Sequence, residues 1–215
     1  MRLGTKDYVY EEIKNKIICG QMEPNQDVIE ESLAKELEVS RTPLRAALQQ
    51  LEFEELLVRK QNGRLKVAPL SITEAREIFE IRSILEGKIA RDATKHATEK
   101  DIYHLKNITL LINKAKKQGL EDDHIQYGME FHSYLYELSG NKTAKKILLT
   151  LNNHINRYRR LGLIQTTDST ENQLDDHALI LDHMIKGDAH QAELISQQHV
   201  MKSLDTAIKK MEELY

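Results

Sequence analysis

Two arginines spaced one helical turn apart, Arg41 and Arg45, are the side chains whose spacing best suits nucleic-acid binding. A guanidinium group can donate paired hydrogen bonds to guanine O6 and N7, or it can clamp a phosphate. Ser40 and Thr42 add hydroxyl and main-chain N–H donors for phosphate. Thr42 is the predicted N-cap of a helix, and Pro43 is predicted at its first position. We therefore expect these five residues at the N-terminal end of a DNA-reading helix, because that end enters the major groove.

Two short helices joined by a tight turn must position these residues. One helix is predicted over 30–37, and the next carries Leu44, Ala47, Leu48 and Leu51 on one face. Together they have the parts of a helix-turn-helix. The alternative is an ordinary helical pair with surface arginines, since such patterns also arise by chance.

A short β-hairpin is predicted directly after these helices. The dipeptide Asn62-Gly63 separates two β-prone runs, 56–60 and 64–67, and Asn-Gly is the strongest short-range hairpin signal. We expect the hairpin to act as a wing that reaches the neighbouring minor groove. Its candidate DNA contacts are Asn62, Gly63, Arg64 and Lys66.

Basic residues are concentrated in these same segments. The net charge of −3 would argue against DNA binding if charge were spread evenly. Between Glu38 and Glu52, however, the only charged residues are Arg41 and Arg45, and 56–73 contains four basic residues and no acid. DNA binding depends on the local potential at the docking face rather than on total charge.

The composition excludes several classes of protein. Of the 215 residues, 40% are hydrophobic and 30% charged, which excludes a disordered chain. No apolar run reaches the roughly 20 residues of a membrane-spanning helix, and residues 1–20 lack the apolar stretch of a signal peptide. The single cysteine, Cys19, excludes an intramolecular disulfide and a thiolate zinc cluster within one chain. We therefore expect a cytoplasmic protein.

The second part of the chain, 71–215, carries only amphipathic helical patterns. Six helices are predicted there, with Thr98 as an N-cap and with Gly119, Gly162 and Gly187 as stops; the fifth spans about 170–186. The predicted fold is mainly α. It combines a winged helix-turn-helix over 1–70 with an antiparallel bundle of about six helices.

The segment LAKELEVSRTPLRAAL, from Leu33 to Leu48, resembles the DNA-binding segment of GntR-family bacterial transcriptional regulators. The helical remainder resembles the effector domain, called FCD, of that family's FadR subfamily, so the resemblance covers nearly the whole chain. It implies operator binding through the Ser-Arg-Thr-Pro turn and the second arginine. It also implies that 71–215 senses a small molecule and dimerises, since a short palindromic operator needs two copies of the reading helix.

Three positions depart from the family pattern. Glu31 stands where the family usually has an arginine that holds phosphate, and Ala46 stands where a glutamate is usual. In the hairpin, Arg64 occupies the usual glycine position, with Gly63 just before it. These changes predict an altered grip on phosphate, while the reading helix itself is retained.

Three histidines match the family's metal-ligand positions. They are His132 in GMEFHSYLYELSGN, His177 in DHALILDHMIKGD and His199 in QAELISQQHVMKSL. The resemblance implies a divalent metal, with Zn²⁺ or Ni²⁺ suiting three imidazoles. The carboxylate usual four residues before His132 is Gly128, so partial metal occupancy is expected. The alternative is that the histidines are packing residues.

The spacing of two of these histidines supports their convergence. His177 lies ten residues before Gly187, and His199 lies eleven residues after Asp188. On a helical hairpin that turns at Gly187-Asp188, both side chains would lie at nearly the same height, because each residue rises about 1.5 Å. A third helix can bring His132 to the same level.

Arg82, in EIFEIRSILEG, resembles the arginine of the family's first effector-domain helix. The resemblance implies that it binds the effector, an organic acid, since a guanidinium can clamp a carboxylate. An equally good interpretation is an ion pair within the helix, with Glu86 or Glu77.

The leading hypothesis is a homodimeric, ligand-responsive transcriptional repressor, which is not an enzyme. The alternative from another class is a metal-dependent hydrolase, since three histidines with an open position are also a catalytic arrangement. It would need a general base, and no carboxylate next to these histidines is evident in the sequence. A third alternative is a helical interaction protein without metal.

Overall fold

Three helices and a two-stranded antiparallel hairpin form the N-terminal part of the protein. The structure is a computed structural model that describes residues 4–163 and 176–214. The elements are α1 Thr5–Ile18, α2 Glu30–Glu36, α3 Arg41–Phe53, β1 Leu57–Arg59 and β2 Leu65–Val67. They belong to a compact unit, Met1–Ser71, while Ile72–Tyr215 forms a second one.

The core of the N-terminal unit comes from one face of each helix and from the hairpin. Ile13, Leu44, Leu51 and Leu57 are completely buried in it. These positions agree with the helical spacing read from the sequence. Burying one such side chain stabilises the fold by about 1.5–3 kcal/mol.

The reading helix begins earlier than the sequence predicted. Thr42 is not the N-cap: Ser40 is, with an extended backbone (φ −75°, ψ 163°), and α3 starts at Arg41. Pro43 is therefore the third helical residue rather than the first. A proline fits there as well, because the first N–H groups of a helix have no intrahelical acceptor.

The hairpin has the predicted pairing. Leu57 pairs with Val67 and Arg59 with Leu65, and Gly63 turns the chain with φ +80°, a conformation that favours glycine. An isolated bridge between Asp27 and Lys66 adds the segment before α2 to the edge of β2.

Six helices follow within the described residues of the second unit. They are α4 Ile72–His96, α5 Glu99–Gln118, α6 Glu121–Leu138, α7 Lys142–Leu163, α8 Asp176–Ile185 and α9 Ala189–Leu214. None of the helices described is long and apolar enough to cross a membrane.

Capping residues set several of these boundaries. Thr98 and Asp101 form a reciprocal capping box at the start of α5, and Asp188 Oδ1 accepts a hydrogen bond from Gln191 N (3.1 Å) at the start of α9. Gly162 does not stop its helix, since α7 continues to Leu163. The start predicted near residue 170 for the fifth helix lies outside the described residues.

The long helices α4 and α9 pack against each other along much of their length. Their close approach depends on Gly87, where an added Cβ would lie 2.6 Å from Gln197 Cγ. Ser83 Oγ also donates to the Gln197 carbonyl (3.4 Å). This pairing sets α4 and α9, which carry Arg82 and His199, at a fixed separation.

Candidate functional site

The N-terminal end of α3 presents the predicted DNA-binding residues at the surface of the first unit. Ser40, Arg41, Thr42 and Arg45 are exposed, and Pro43 is half-buried. Within the residues that the structure describes, Arg41 makes no ion pair or hydrogen bond through its side chain. Its guanidinium is therefore available for a base or a phosphate.

Arg45 is exposed but already paired. Its Nε lies 2.9 Å from Oε2 of Glu30, the first residue of α2, and 66% of the Arg45 side-chain surface remains accessible to solvent. Sequence reasoning singled out Glu31 as the acid that opposes phosphate, but the acid in contact with the reading helix is its neighbour Glu30. Glu31 is exposed and forms no ion pair in the described part of the chain.

The predicted wing contacts fall into two groups. Asn62, Gly63 and Arg64 are exposed at the tip, where Asn62 Oδ1 accepts a hydrogen bond from Arg64 N (3.1 Å). Lys66, in contrast, is half-buried and donates from Nζ to Asn25 Oδ1 (2.8 Å). Lys66 therefore braces the base of the wing in this conformation.

In the second unit, three helices bring the predicted histidines together. His132 comes from α6, His177 from α8 and His199 from α9. The ring centroids lie 5.3 Å apart for His132 with each of the other two, and 4.5 Å apart for His177 with His199. Each ring offers one nitrogen, and these three nitrogens lie within 4.8 Å of one another.

This donor set fits a divalent transition metal. Ligand atoms about 2.0–2.1 Å from a tetrahedral ion lie about 3.3 Å from one another. Small rotations of the three rings would bring their nitrogens to that separation. Burial, followed by electrostatic repulsion from the neighbouring His177, lowers the pKa of His199 to about 4, although the hydrogen bond with Asp176 acts in the opposite direction. His199 is therefore neutral near pH 7, which is the form that binds metal.

Two carboxylates that sequence reasoning missed orient these rings. Glu86 Oε2 lies 2.6 Å from His132 Nδ1, and Asp176 Oδ2 lies 3.5 Å from His199 Nδ1. The expectation that no carboxylate stands next to the histidines is thus wrong. A carboxylate on Nδ1 leaves Nε2 for a metal and raises the basicity of the ring. The hydrogen bond from His199, and then that from Lys202, lower the pKa of Asp176 to about 2.

Gly128 lies beside the histidine cluster. A Cβ built on Gly128 would lie 3.8 Å from His177 Nε2, at ordinary van der Waals distance. A side chain therefore fits at this position, and a carboxylate there would stand next to the candidate ligand atom.

Arg82 forms the ion pair within its helix that the sequence offered as one interpretation, and it keeps two further donors unused. It is completely buried, and its Nε donates to Glu86 Oε1 (2.9 Å), which is the predicted ion pair within the helix. Its Nη1 and Nη2 have no hydrogen-bond partner among the described residues. Tyr136 also donates to Glu86 Oε1 (2.8 Å), so Glu86 joins Arg82 to the histidine cluster.

Unused guanidinium donors inside a protein are costly, because each buried N–H without an acceptor retains its desolvation penalty of about 1–3 kcal/mol. An anion that accepts from both Nη groups would remove that penalty. The unused Nη groups can therefore donate to an anion beside Arg82, next to the Glu86 carboxylate that contacts His132.

These features define a class of protein: a DNA-binding regulator with a winged helix-turn-helix and a separate helical domain that can bind a ligand. The family model "FCD domain" matches residues 77–202, and "Bacterial regulatory proteins, gntR family" matches residues 5–67. The chain belongs to the GntR family of transcriptional regulators and carries the FCD effector domain of its FadR-like members. These proteins are regulators rather than enzymes, so the hydrolase alternative is set aside.

Several curated proteins are similar over most of their length. The uncharacterized regulator YdhC of Bacillus subtilis is 29% identical, covering 89% of this chain and 84% of its own. The Nta operon transcriptional regulator of Aminobacter aminovorans is 28% identical, covering 86% of both chains. The transcriptional repressor RspR of Escherichia coli is 24% identical, covering 90% of this chain and 85% of its own.

Solved structures share the whole fold. Escherichia coli McbR/YncC superposes with a TM-score of 0.79 at 18% identity, covering 98% of this chain and 100% of that one. A putative GntR regulator from Rhodococcus sp. RHA1 gives 0.72 at 16% identity, covering 95% and 97%. The predicted fold class is thereby confirmed.

Proposed function

We propose that the protein is a homodimeric transcriptional repressor of the cytoplasm that binds a short palindromic operator and releases it in response to a small organic acid. The observation that carries the effector half is the pair of buried Nη groups of Arg82, which have no hydrogen-bond partner among the described residues. Arg82 is joined through Glu86 to the histidine cluster. The repressing direction is supported by the similarity to RspR.

The DNA-binding half rests on the end of α3 and the tip of the wing. Arg41 and Arg45 would read base edges or hold phosphate, while Ser40 and Thr42 would donate to phosphate and Pro43 would shape the first turn. Asn62, Gly63 and Arg64 would approach the neighbouring minor groove. Lys66 would contribute a positive charge at the base of the wing.

A divalent ion, Zn²⁺ or Ni²⁺, would be held by His132, His177 and His199. When bound, it supplies a positive charge that attracts a carboxylate oxygen. Three neutral imidazoles do not cancel that charge, whereas a ligating aspartate would. Because Gly128 carries no side chain, the effector would bind beside the imidazoles, and Arg82 would hold its second oxygen.

Coupling between effector binding and DNA binding requires that the effector bind one conformation of the protein better than another. Arg82 and Glu86 lie on α4, the helix that directly follows the winged domain in the chain. A rearrangement of this helix on ligand binding would alter how the two winged domains are presented. Couplings of this kind are typically about 1–3 kcal/mol, or about 5–150-fold in affinity.

The proposal is tested by selecting duplexes that bind the full-length protein from a random-sequence pool. We expect the wild-type protein to enrich an inverted repeat, and Arg41→Ala to bind that duplex more weakly. The enriched duplex is then titrated in the presence of individual small carboxylates. The proposal is overturned if no duplex is enriched, or if wild type and Arg41→Ala bind the enriched duplex with equal affinity and equal salt dependence.

A further inference from the structure

One face of α4 is exposed along the whole helix. Glu77, Glu80, Ile84, Lys88 and Arg91 recur on it at intervals of three and four residues, and all five are exposed. Ile84 retains 65% of its accessible surface and Ile81 retains 51%, so this face carries exposed apolar surface between its charged residues.

The charges on this face are divided at Ile84. Acidic Glu77 and Glu80 precede it, and basic Lys88 and Arg91 follow it. Glu77 and Glu80 form no ion pair with any described residue. Lys88 pairs with Asp92 on its own helix, and Arg91 Nη1 lies 3.0 Å from Glu193 Oε2.

We propose that a second copy of this chain binds this face, with the two α4 helices antiparallel and a two-fold axis passing beside Ile84. Glu77 and Arg91 each lie seven residues from Ile84, and Glu80 and Lys88 each lie four residues from it. In an antiparallel pair centred on Ile84, the acidic end of each helix therefore lies against the basic end of its partner. The two Ile84 side chains meet at the centre.

The charge pattern selects this occupant and this direction. A parallel pair would place acid against acid and base against base, which is unfavourable. Such a two-fold contact uses the same patch on both subunits and must be complementary to itself, as this face is. The peripheral ion pairs would fix the register, while Ile84 and its neighbour Ile81, which is 51% exposed, would supply the apolar contact.

Another helix, α5, also exposes apolar residues, since Tyr103 and Leu110 are both 67% exposed. Its acidic residues, Glu99 and Asp101, are confined to the first turn, and Asp101 already accepts hydrogen bonds from Thr98 and Tyr134. The charged residues that follow on this helix are all lysines, so its charges are not balanced about an apolar centre as those of α4 are. The α4 face is therefore the better candidate for association between copies.

This inference rests on the proposed homodimer and adds the surface that forms it. A two-fold axis beside Ile84 would relate the two winged domains by the same symmetry as the two halves of a palindromic operator. Association and DNA binding would then share one symmetry element.

The first test compares wild type with Ile84→Arg and Leu110→Arg by sedimentation equilibrium of the full chain. Ile84→Arg places two positive charges against each other at the axis, so the dissociation constant of the dimer should rise at least tenfold. Leu110→Arg is a matched control, since the two side chains are about equally exposed, and it should leave the dimer unchanged. Glu80→Lys and Lys88→Glu should each weaken the dimer, and their combination should restore it.

A second test reads the register without depending on the stability of a variant. Ile84→Cys, introduced together with Cys19→Ser, should form an intersubunit disulfide under mild oxidation, because the two positions face each other across the axis. Leu110→Cys in the same background should not. A wild type that is monomeric at all concentrations overturns both the dimer and this surface. A wild-type dimer that persists in Ile84→Arg, with no cross-link through Ile84→Cys, overturns this surface alone.

Discussion

Arg45 Nε lies 2.9 Å from Glu30 Oε2, so the second arginine of the reading helix is held by an acid from the preceding helix. Arg45 must exchange this carboxylate for a base edge or a phosphate when DNA binds. Both side chains are largely exposed, and such an ion pair contributes only about 0–1 kcal/mol. The pair therefore lowers the affinity for DNA modestly rather than preventing binding.

Glu30→Gln should raise the affinity for operator and for random DNA alike. The substitution removes both the competing partner of Arg45 and a negative charge near the phosphates, and phosphate contacts carry no sequence information. We expect a gain of about twofold to tenfold at low salt, measured by fluorescence anisotropy. Glu31→Gln is the matched control, because it removes one charge without releasing Arg45. Equal gains in both variants would show that charge alone, and not the contact with Arg45, is responsible.

Arg41→Ala and Arg45→Ala should each leave a folded protein with weaker operator binding. Loss of a contact to a base costs about 1–3 kcal/mol and relaxes specificity at one position. Loss of a contact to phosphate lowers the salt slope by about one unit instead. Titrations at several salt concentrations separate the two roles. If neither variant changes affinity or slope, α3 does not read DNA.

The histidine cluster should retain more metal when it has more protein ligands. His177→Ala removes one of three donors, so its metal content after dialysis should be close to zero. Gly128→Asp adds a carboxylate where a Cβ would lie 3.8 Å from His177 Nε2, so it should retain the most. Wild type should lie between them. Elemental analysis of protein that has not been exposed to chelator measures all three, and negligible metal in every sample would leave the histidines as packing residues.

Stability should depend on pH through the residue that ties α5 to α6, the helix carrying His132. The hydroxyls of Thr98 and then Tyr134, with the Thr98 N–H, lower the pKa of Asp101 to about 2 from its usual 3.8. Because the folded pKa is depressed, this stabilisation is complete above pH 4 and is lost as the pH falls towards 2. Asp101→Asn should therefore be less stable than wild type at pH 7, by less than about 1 kcal/mol because solvent screens this half-buried carboxylate. Urea unfolding should show a smaller difference in the free energy of unfolding between wild type and Asp101→Asn at pH 3 than at pH 7. A constant difference would mean that the charge of Asp101 plays no part.

Local patterns predicted the elements and much of the histidine cluster. His177 and His199 lie at nearly equal distances from the turn at Gly187-Asp188, so their proximity follows from helix geometry once the hairpin is recognised. The start of α3 was misplaced by two residues, because Ser40, Thr42 and Pro43 all favour helix starts and only the fold selects among them.

Contacts between separate helices could not be read from spacing. Glu86 approaches His132 only because α4 packs against α6, and Glu30 reaches Arg45 only because α2 crosses α3. Asp176 carried a weak signal, since it directly precedes His177 in the chain. The two Nη groups of Arg82 that lack a partner among the described residues carried no sequence signal. Whether they find an acceptor depends on the side chains that every neighbouring helix places around them.

The most direct test of ligand-responsive DNA binding is the affinity for the selected duplex, measured with and without small carboxylates, in wild type and in Arg82→Lys. Arg82→Lys keeps the positive charge beside Glu86 but loses the two Nη donors. We predict that at least one carboxylate weakens DNA binding by wild type by fivefold or more, and that Arg82→Lys binds the duplex normally without this response. An equal response in both proteins, or a wild-type affinity that no carboxylate changes, would contradict the account.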